Sequence, residues 1–126
     1  MIKLNCPLKI EGSTKRYYLN LNNYRNWHYQ VSNNLKKKFK DLMHSQLYPL
    51  EPVKEIHSIK YVIFFGSKRR SDLMNVGTVI DKFLCDALQS YNIIQDDDKE
   101  FLHTFKFEYG GIDKSNPRVE VYIDND

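Results

Sequence analysis

YVIFFGSKRRSDLMNVGTVIDKFLCDALQSYNIIQDDD, residues 61–98, sets an apolar run, a basic hinge, a helical repeat and an acidic turn in immediate succession. Tyr61-Val62-Ile63-Phe64-Phe65 is continuously apolar, as a strand entering the middle of a sheet must be, and Gly66 ends it. Val76, Val79, Ile80, Phe83, Leu84, Ala87, Leu88 and Tyr91 then recur three or four apart, which predicts a helix from Asn75 onward. Its other face carries Asn75, Thr78, Lys82, Asp86 and Gln89.

Working outward, residues 2–10 and 16–21 read as two strands around the turn Glu11-Gly12-Ser13-Thr14. Tyr24, Trp27, Val31, Leu35, Phe39, Leu42 and Met43 fall on one face of a single helix running to about Gln46, with the lysines of 36–40 mostly on its wet side. Pro49 and Pro52 end that helix, and residues 56–65 form the strand. Beyond the acidic turn, Phe101, His103, Phe105, Phe107 and Tyr109 alternate with Leu102, Thr104, Lys106 and Glu108, a period of two that predicts a half-buried strand. Val119, Val121 and Ile123 repeat the pattern after turns at Gly110-Gly111 and Asn116-Pro117. The order β-β-α-β-α-β-β predicts an α+β domain, two main helices packed on a mixed sheet.

With 126 residues the chain makes one domain, residues 1–126 as a single unit. Hydrophobic residues at 41% and charged residues at 28% describe a folded chain and not a disordered one. No apolar stretch is long enough for a membrane helix and the N-terminus is no signal peptide, so the sequence predicts a cytoplasmic protein with no membrane partner. Cys6 and Cys85 have neither zinc spacing nor a disulfide pattern and read as plain buried thiols. The net charge of +3 permits an anionic partner without demanding one. Its distribution says more: Lys36-Lys37-Lys38-Phe39-Lys40 and Lys68-Arg69-Arg70 are basic, whereas Asp96-Asp97-Asp98 and the tail from Asp124 are acidic.

Taken singly, these residues have plain readings. Asp72 suits an N-cap, Asp96 to Asp98 a solvated turn, and Lys82 with Asp86 an exposed ion pair four residues apart. His28, His44, His57 and His103 show no ligand spacing. Tyr24 and Trp27 read as core and not as base-stacking platforms.

Taken together, Asp72-Leu73-Met74-Asn75, then Lys82-x-x-x-Asp86-Ala87-Leu88, then an apolar pair followed by Asp96-Asp97, resemble the signature of RusA-type Holliday junction resolvases. In that family an Asp-x-Asp-Asn motif precedes a Lys-x-x-x-Asp-Ala-Leu helix and an Asp-Asp turn. Relative to the pattern, four extra residues stand between Asn75 and Lys82, about one helical turn, which keeps Lys82 on the same face. Leu21-Asn22-Asn23-Tyr24-Arg25 is similar to the family's N-terminal Asn-x-Tyr-Arg segment. The pattern departs at Met74, where the family has a second aspartate; a thioether is no hard oxygen ligand for Mg²⁺.

The resemblance implies a Mg²⁺-dependent endodeoxyribonuclease, with Mn²⁺ as substitute, that resolves four-way junctions as a homodimer and is encoded by a phage or prophage. It implies Asp72 and Asp97 as metal ligands and catalytic carboxylates, helped by Asp96, Asp98 or Asp81, and Lys82 as the group that stabilises the transition state. Lys68, Arg69, Arg70, Asn75, Lys36, Lys37 and Lys40 would hold flanking phosphates. Met74 keeps a rival open: a catalytically inactive DNA-binding or partner-binding protein on the same scaffold.

Overall fold

The computed structural model describes residues 1–68, 72–95 and 102–126, apart from the side chains of 102 and 103. Among the described residues six strands and three helices follow in the order β1 (Ile2–Cys6), β2 (Lys9–Glu11), β3 (Arg16–Tyr18), α1 (Leu21–Asn26), α2 (Tyr29–Leu47), β4 (Ile56–Phe65), α3 (Leu73–Ser90), β5 (Leu102–Ile112) and β6 (Arg118–Asp124). The α+β class predicted from the sequence is what the chain forms: a mixed four-stranded sheet in the order β1-β6-β4-β5, with a small β2-β3 ribbon beside it.

β4 lies inside the sheet, as its unbroken apolar run requires, antiparallel to β6 with Tyr61 opposite Val121 and parallel to β5 with Tyr61 opposite Phe107. Alternate residues of three strands, Leu4 and Cys6, Val119, Val121 and Ile123, and Ile59, Tyr61 and Ile63, are buried on one face. Leu35, Phe39, Met43 and Leu47 of α2 and Val79, Ile80, Phe83, Leu84 and Leu88 of α3 close the core over them. The opposite face is wetter: the Lys60 ammonium lies 4.9 Å from the Tyr122 ring, and Lys3 pairs with Glu120 at 3.9 Å.

Four details depart from the sequence reading. The first predicted strand is two, β1 in the main sheet and β2 in the ribbon, parted at Pro7, which has no N–H to continue a ladder. The first predicted helix is also two. Trp27 takes an extended backbone, ψ 136°, and the His28 ring nitrogen accepts from the Gln30 N–H at 3.2 Å, opening α2 anew. Tyr17 and Tyr24 meet the Trp27 ring edge-on at 5.9 and 6.3 Å and hold this corner against the core. Leu42, expected on the apolar face of α2, is 55% exposed. Finally, β5 is an edge strand, and α3 covers Phe107 but leaves Phe105 52% and Tyr109 59% exposed.

Candidate functional site

β4, α3 and β5 form a parallel strand-helix-strand unit, and such units receive ligands outside the carboxyl ends of their strands. An open cleft of 640 Å³ lies at that end of β4. Phe65, Gly66 and Ser67 leaving β4 and Val76 in the first turns of α3 form one wall. Lys9, Tyr18, Asn20, Asn23 and Lys114 supply the polar lining, and among the described residues no carboxylate lines it. Two asparagines fix its geometry. The Asn20 side chain caps α1 by accepting from the Asn23 N–H at 2.9 Å, and the Asn23 amide donates to the Tyr18 carbonyl at 2.9 Å. A concave, cationic wall rich in amide groups suits an anionic oxygen ligand.

Asp72 stands one helical turn before Val76, exposed, as the N-cap of α3. Its Oδ1 accepts from the Met74 N–H at 2.8 Å. The capping role is thus real, and among the described residues the carboxylate takes no other hydrogen bond. Met74 is 57% exposed beside it. Lys68 is exposed just past Ser67, and Asn75 is half-buried in the first turn of α3. Arg69, Arg70, Asp96, Asp97 and Asp98 lie outside the described residues.

The other predicted residues are spread along α3. Lys82 is exposed, but ten positions beyond Asp72 it lies about 15 Å farther along the axis. The two do not converge on one phosphate, because the added turn that preserves a helix face also lengthens the helix. Asp86 does not pair with Lys82; it takes Lys40 of α2 at 3.0 Å. Lys36 stands one turn back from Lys40, and Lys82 one turn back from Asp86, so these groups make a lateral patch of their own. Lys37 is exposed on the same helix.

Asp81, named as a possible helper, faces the sheet instead. It accepts from the Tyr61 hydroxyl at 2.5 Å and lies 3.5 Å from the Cys85 sulfur. Burial first, and the charge of Asp81 second, hold the Tyr61 hydroxyl well above its ordinary range. Both cysteines are buried and unbridged, and burial pushes the Cys6 thiol far up, as expected of inert core thiols. Among the described residues no three His, Cys, Asp or Glu side chains gather as a metal group, and no helix is long and apolar enough to cross a membrane.

The far end of α3 completes the geometry. Asn92 adopts φ 58°, the Ile93 N–H bonds the Leu88 carbonyl at 2.9 Å, and the Gln89 amide reaches the Gln95 carbonyl at 3.5 Å. Gln95 therefore sits beside the last turns of α3, about 25 Å along the axis from Asp72.

The sequence points to Asp72 and Lys68, which flank the cleft-lining residues Ser67 and Val76 along the chain, but not to Lys9, Asn20 or Lys114, which no local motif links. No model of a known protein family matches the chain, and no curated protein matches it either.

Proposed function

We propose that this chain is a divalent-cation-dependent endodeoxyribonuclease acting on branched DNA, as the resemblance to RusA-type resolvases implies. The observation that carries the reading is a lysine-lined cleft that reaches Val76, one helical turn after the exposed Asp72 carboxylate at the start of α3. Lys9, Lys114 and Lys68 hold the phosphates entering the cleft, and the Lys36, Lys40 and Lys82 patch grips the same arm of DNA farther along. Such contacts position DNA by shape and charge, without reading bases. Mg²⁺ needs only one or two carboxylates beside phosphate and water oxygens, and Asp72 would supply the first of them. When bound, such an ion polarises the scissile phosphate and activates the attacking water.

The length of α3 constrains the second ligand. Gln95, the last described residue before the acidic turn, lies about 25 Å along α3 from Asp72. In this reading the second carboxylate is drawn from a partner subunit. In a two-fold dimer with antiparallel α3 helices, the start of one helix meets the end of the other, giving two equivalent sites for the two strands cut in a four-way junction.

Incubation of a synthetic four-way junction with the protein and Mg²⁺ tests this. Paired symmetric nicks are expected, lost in Asp72→Asn and in Asp97→Asn. Mixing those two inactive proteins distinguishes the arrangements, because a shared site regenerates one intact centre in each mixed dimer and recovers single nicks. No recovery places both ligands within one subunit and overturns the shared site. Junction binding with no nicks in either Mg²⁺ or Mn²⁺ overturns the nuclease reading in favour of a DNA-binding protein. Met74 at the motif position gives that rival its basis, and Met74→Asp then asks whether the missing carboxylate is the cause.

A further inference from the structure

A cleft that held phosphate alone would be lined by cations and dipoles throughout, yet this one also carries Leu8, Leu19, Phe65, Val76 and Pro117. Leu19 and Val76 are buried and form its floor, whereas Tyr18 and Lys114 are exposed and stand at its mouth. The two tyrosines of β3 differ. Tyr17 packs edge-on against Trp27 at 5.9 Å, but Tyr18 is 50% exposed, and among the described residues its side chain takes neither a ring contact nor a hydrogen bond. The asparagines are fixed in orientation, because the Asn20 oxygen accepts from a backbone N–H and the Asn23 nitrogen donates to a backbone carbonyl. That leaves the Asn20 amide nitrogen as a donor and the Asn23 amide oxygen as an acceptor, neither with a side-chain or backbone partner among the described residues.

We propose that this cleft receives one unpaired nucleotide of a DNA strand, its base on the apolar floor against the Tyr18 ring and its phosphate held by Lys9 and Lys114. The assignment rests on the reading of the ligand as DNA and names the part of it that the cleft recognises. A volume of 640 Å³ suits a small ligand and is far too small for a duplex. In a duplex the faces of each base are covered by its neighbours and its pairing edge by its partner, so walls of this kind are reached only by a base outside the stack. Every base has a π-face for Tyr18, and every pairing edge offers both a donor and an acceptor to the two amides. Lys9 retains only a long contact with Glu11, at 3.8 Å, and Lys114 has no ion pair among the described residues, so both ammonium groups are available to a phosphate.

The test is a titration of the whole chain in EDTA, followed by the NMR signals of the Asn20 and Asn23 side-chain amides. Thymidine 5′-monophosphate should shift both signals saturably, and 2-deoxyribose 5-phosphate, which has no base, should bind about tenfold more weakly or worse. A single-stranded oligothymidylate should bind more tightly than the mononucleotide, and the same strand annealed to its complement should leave both signals in place. Tyr18→Ala should weaken mononucleotide binding about 5- to 150-fold, the span covered by the stacking of one base, whereas Tyr18→Phe keeps the ring and should bind like the wild type. Tyr18 lies at the surface, so both variants should melt with the wild type. Equal binding of the sugar phosphate and the nucleotide, or Tyr18→Ala binding like the wild type, overturns the proposal; an oligothymidylate weaker than the mononucleotide overturns the assignment to a DNA strand. Because no metal is present, the outcome is separate from cleavage. A protein that binds the nucleotide but never nicks DNA loses the nuclease reading alone, and one that nicks junctions with this cleft empty loses this proposal alone.

Discussion

The methyl group that Gly77 lacks would stand 2.5 Å from the ring of Phe107, so α3 rests on β5 through a glycine. No larger residue fits without moving a ring that is itself packed 5.3 Å from Tyr61. Gly77→Ala should therefore destabilise the fold by about 1–3 kcal/mol, the usual cost of overpacking, although alanine is otherwise the better helix former. Thermal melting checks this. A melting temperature equal to or above that of the wild type would show that Phe107 yields freely.

Tyr61→Phe removes the hydroxyl that Asp81 accepts and leaves a partly buried carboxylate short of a donor. A loss of about 1–3 kcal/mol is expected in urea unfolding. The same group sets a response to alkali. Tyr61 titrates well above 10.0 in the fold, because burial and then Asp81 oppose its ionisation. The unfolded chain therefore releases that proton first, and the stabilisation, complete below about pH 10, fades as pH rises further. The decline should be shallower in Tyr61→Phe.

Because Asp72 caps α3, its substitutions separate stability from function. Asp72→Ala should cost about 0.5–2 kcal/mol, whereas Asp72→Asn keeps a capping oxygen and should melt near the wild type. If Asn and Ala destabilise equally, the bond to the Met74 N–H contributes nothing.

Arg118 gathers Asp113 at 2.9 Å and Glu120 at 2.7 Å at the start of β6. The Ser115 hydroxyl first, then Arg118, hold Asp113 below the usual carboxylate range; the Tyr122 hydroxyl first, then Arg118, do so for Glu120. With folded values depressed, the unfolded chain takes up protons first on acidification. The stabilisation is present above about pH 4–5 and is lost as pH falls through the depressed values. Arg118→Met should flatten this acid limb, measured as melting temperature against pH; an unchanged profile would place the acid sensitivity elsewhere.

Much of this fold was legible because its signals are local. The run Tyr61 to Phe65 has no polar interruption and forms the interior strand; the spacing from Val76 to Leu88 marks the buried side of α3. What escaped depends on distant partners. The break at Trp27 lies within an uninterrupted apolar period and is made by the His28 cap and by aromatic contacts with Tyr17. Phe105 and Tyr109 alternate like core residues, but whether a strand's apolar side is covered depends on its place in the sheet, and β5 is at the edge. At the site, the helix face of Lys82 was predictable from its spacing. The cleft was not, since Lys9, Asn23 and Lys114 belong to three separate segments that only the tertiary fold brings together.

β6 follows β4 and β5 along the chain, yet it lies between β1 and β4. Until residues 118–124 leave the ribosome, β1 has no neighbour in the main sheet and β4 lacks one side of its ladder. A nascent chain must therefore hold the apolar surfaces of Leu4, Ile59 and Tyr61 without their final partners until then, in a topology whose long-range closure makes folding slow. A cell that makes this protein in quantity has reason to keep a chaperone near the tunnel exit.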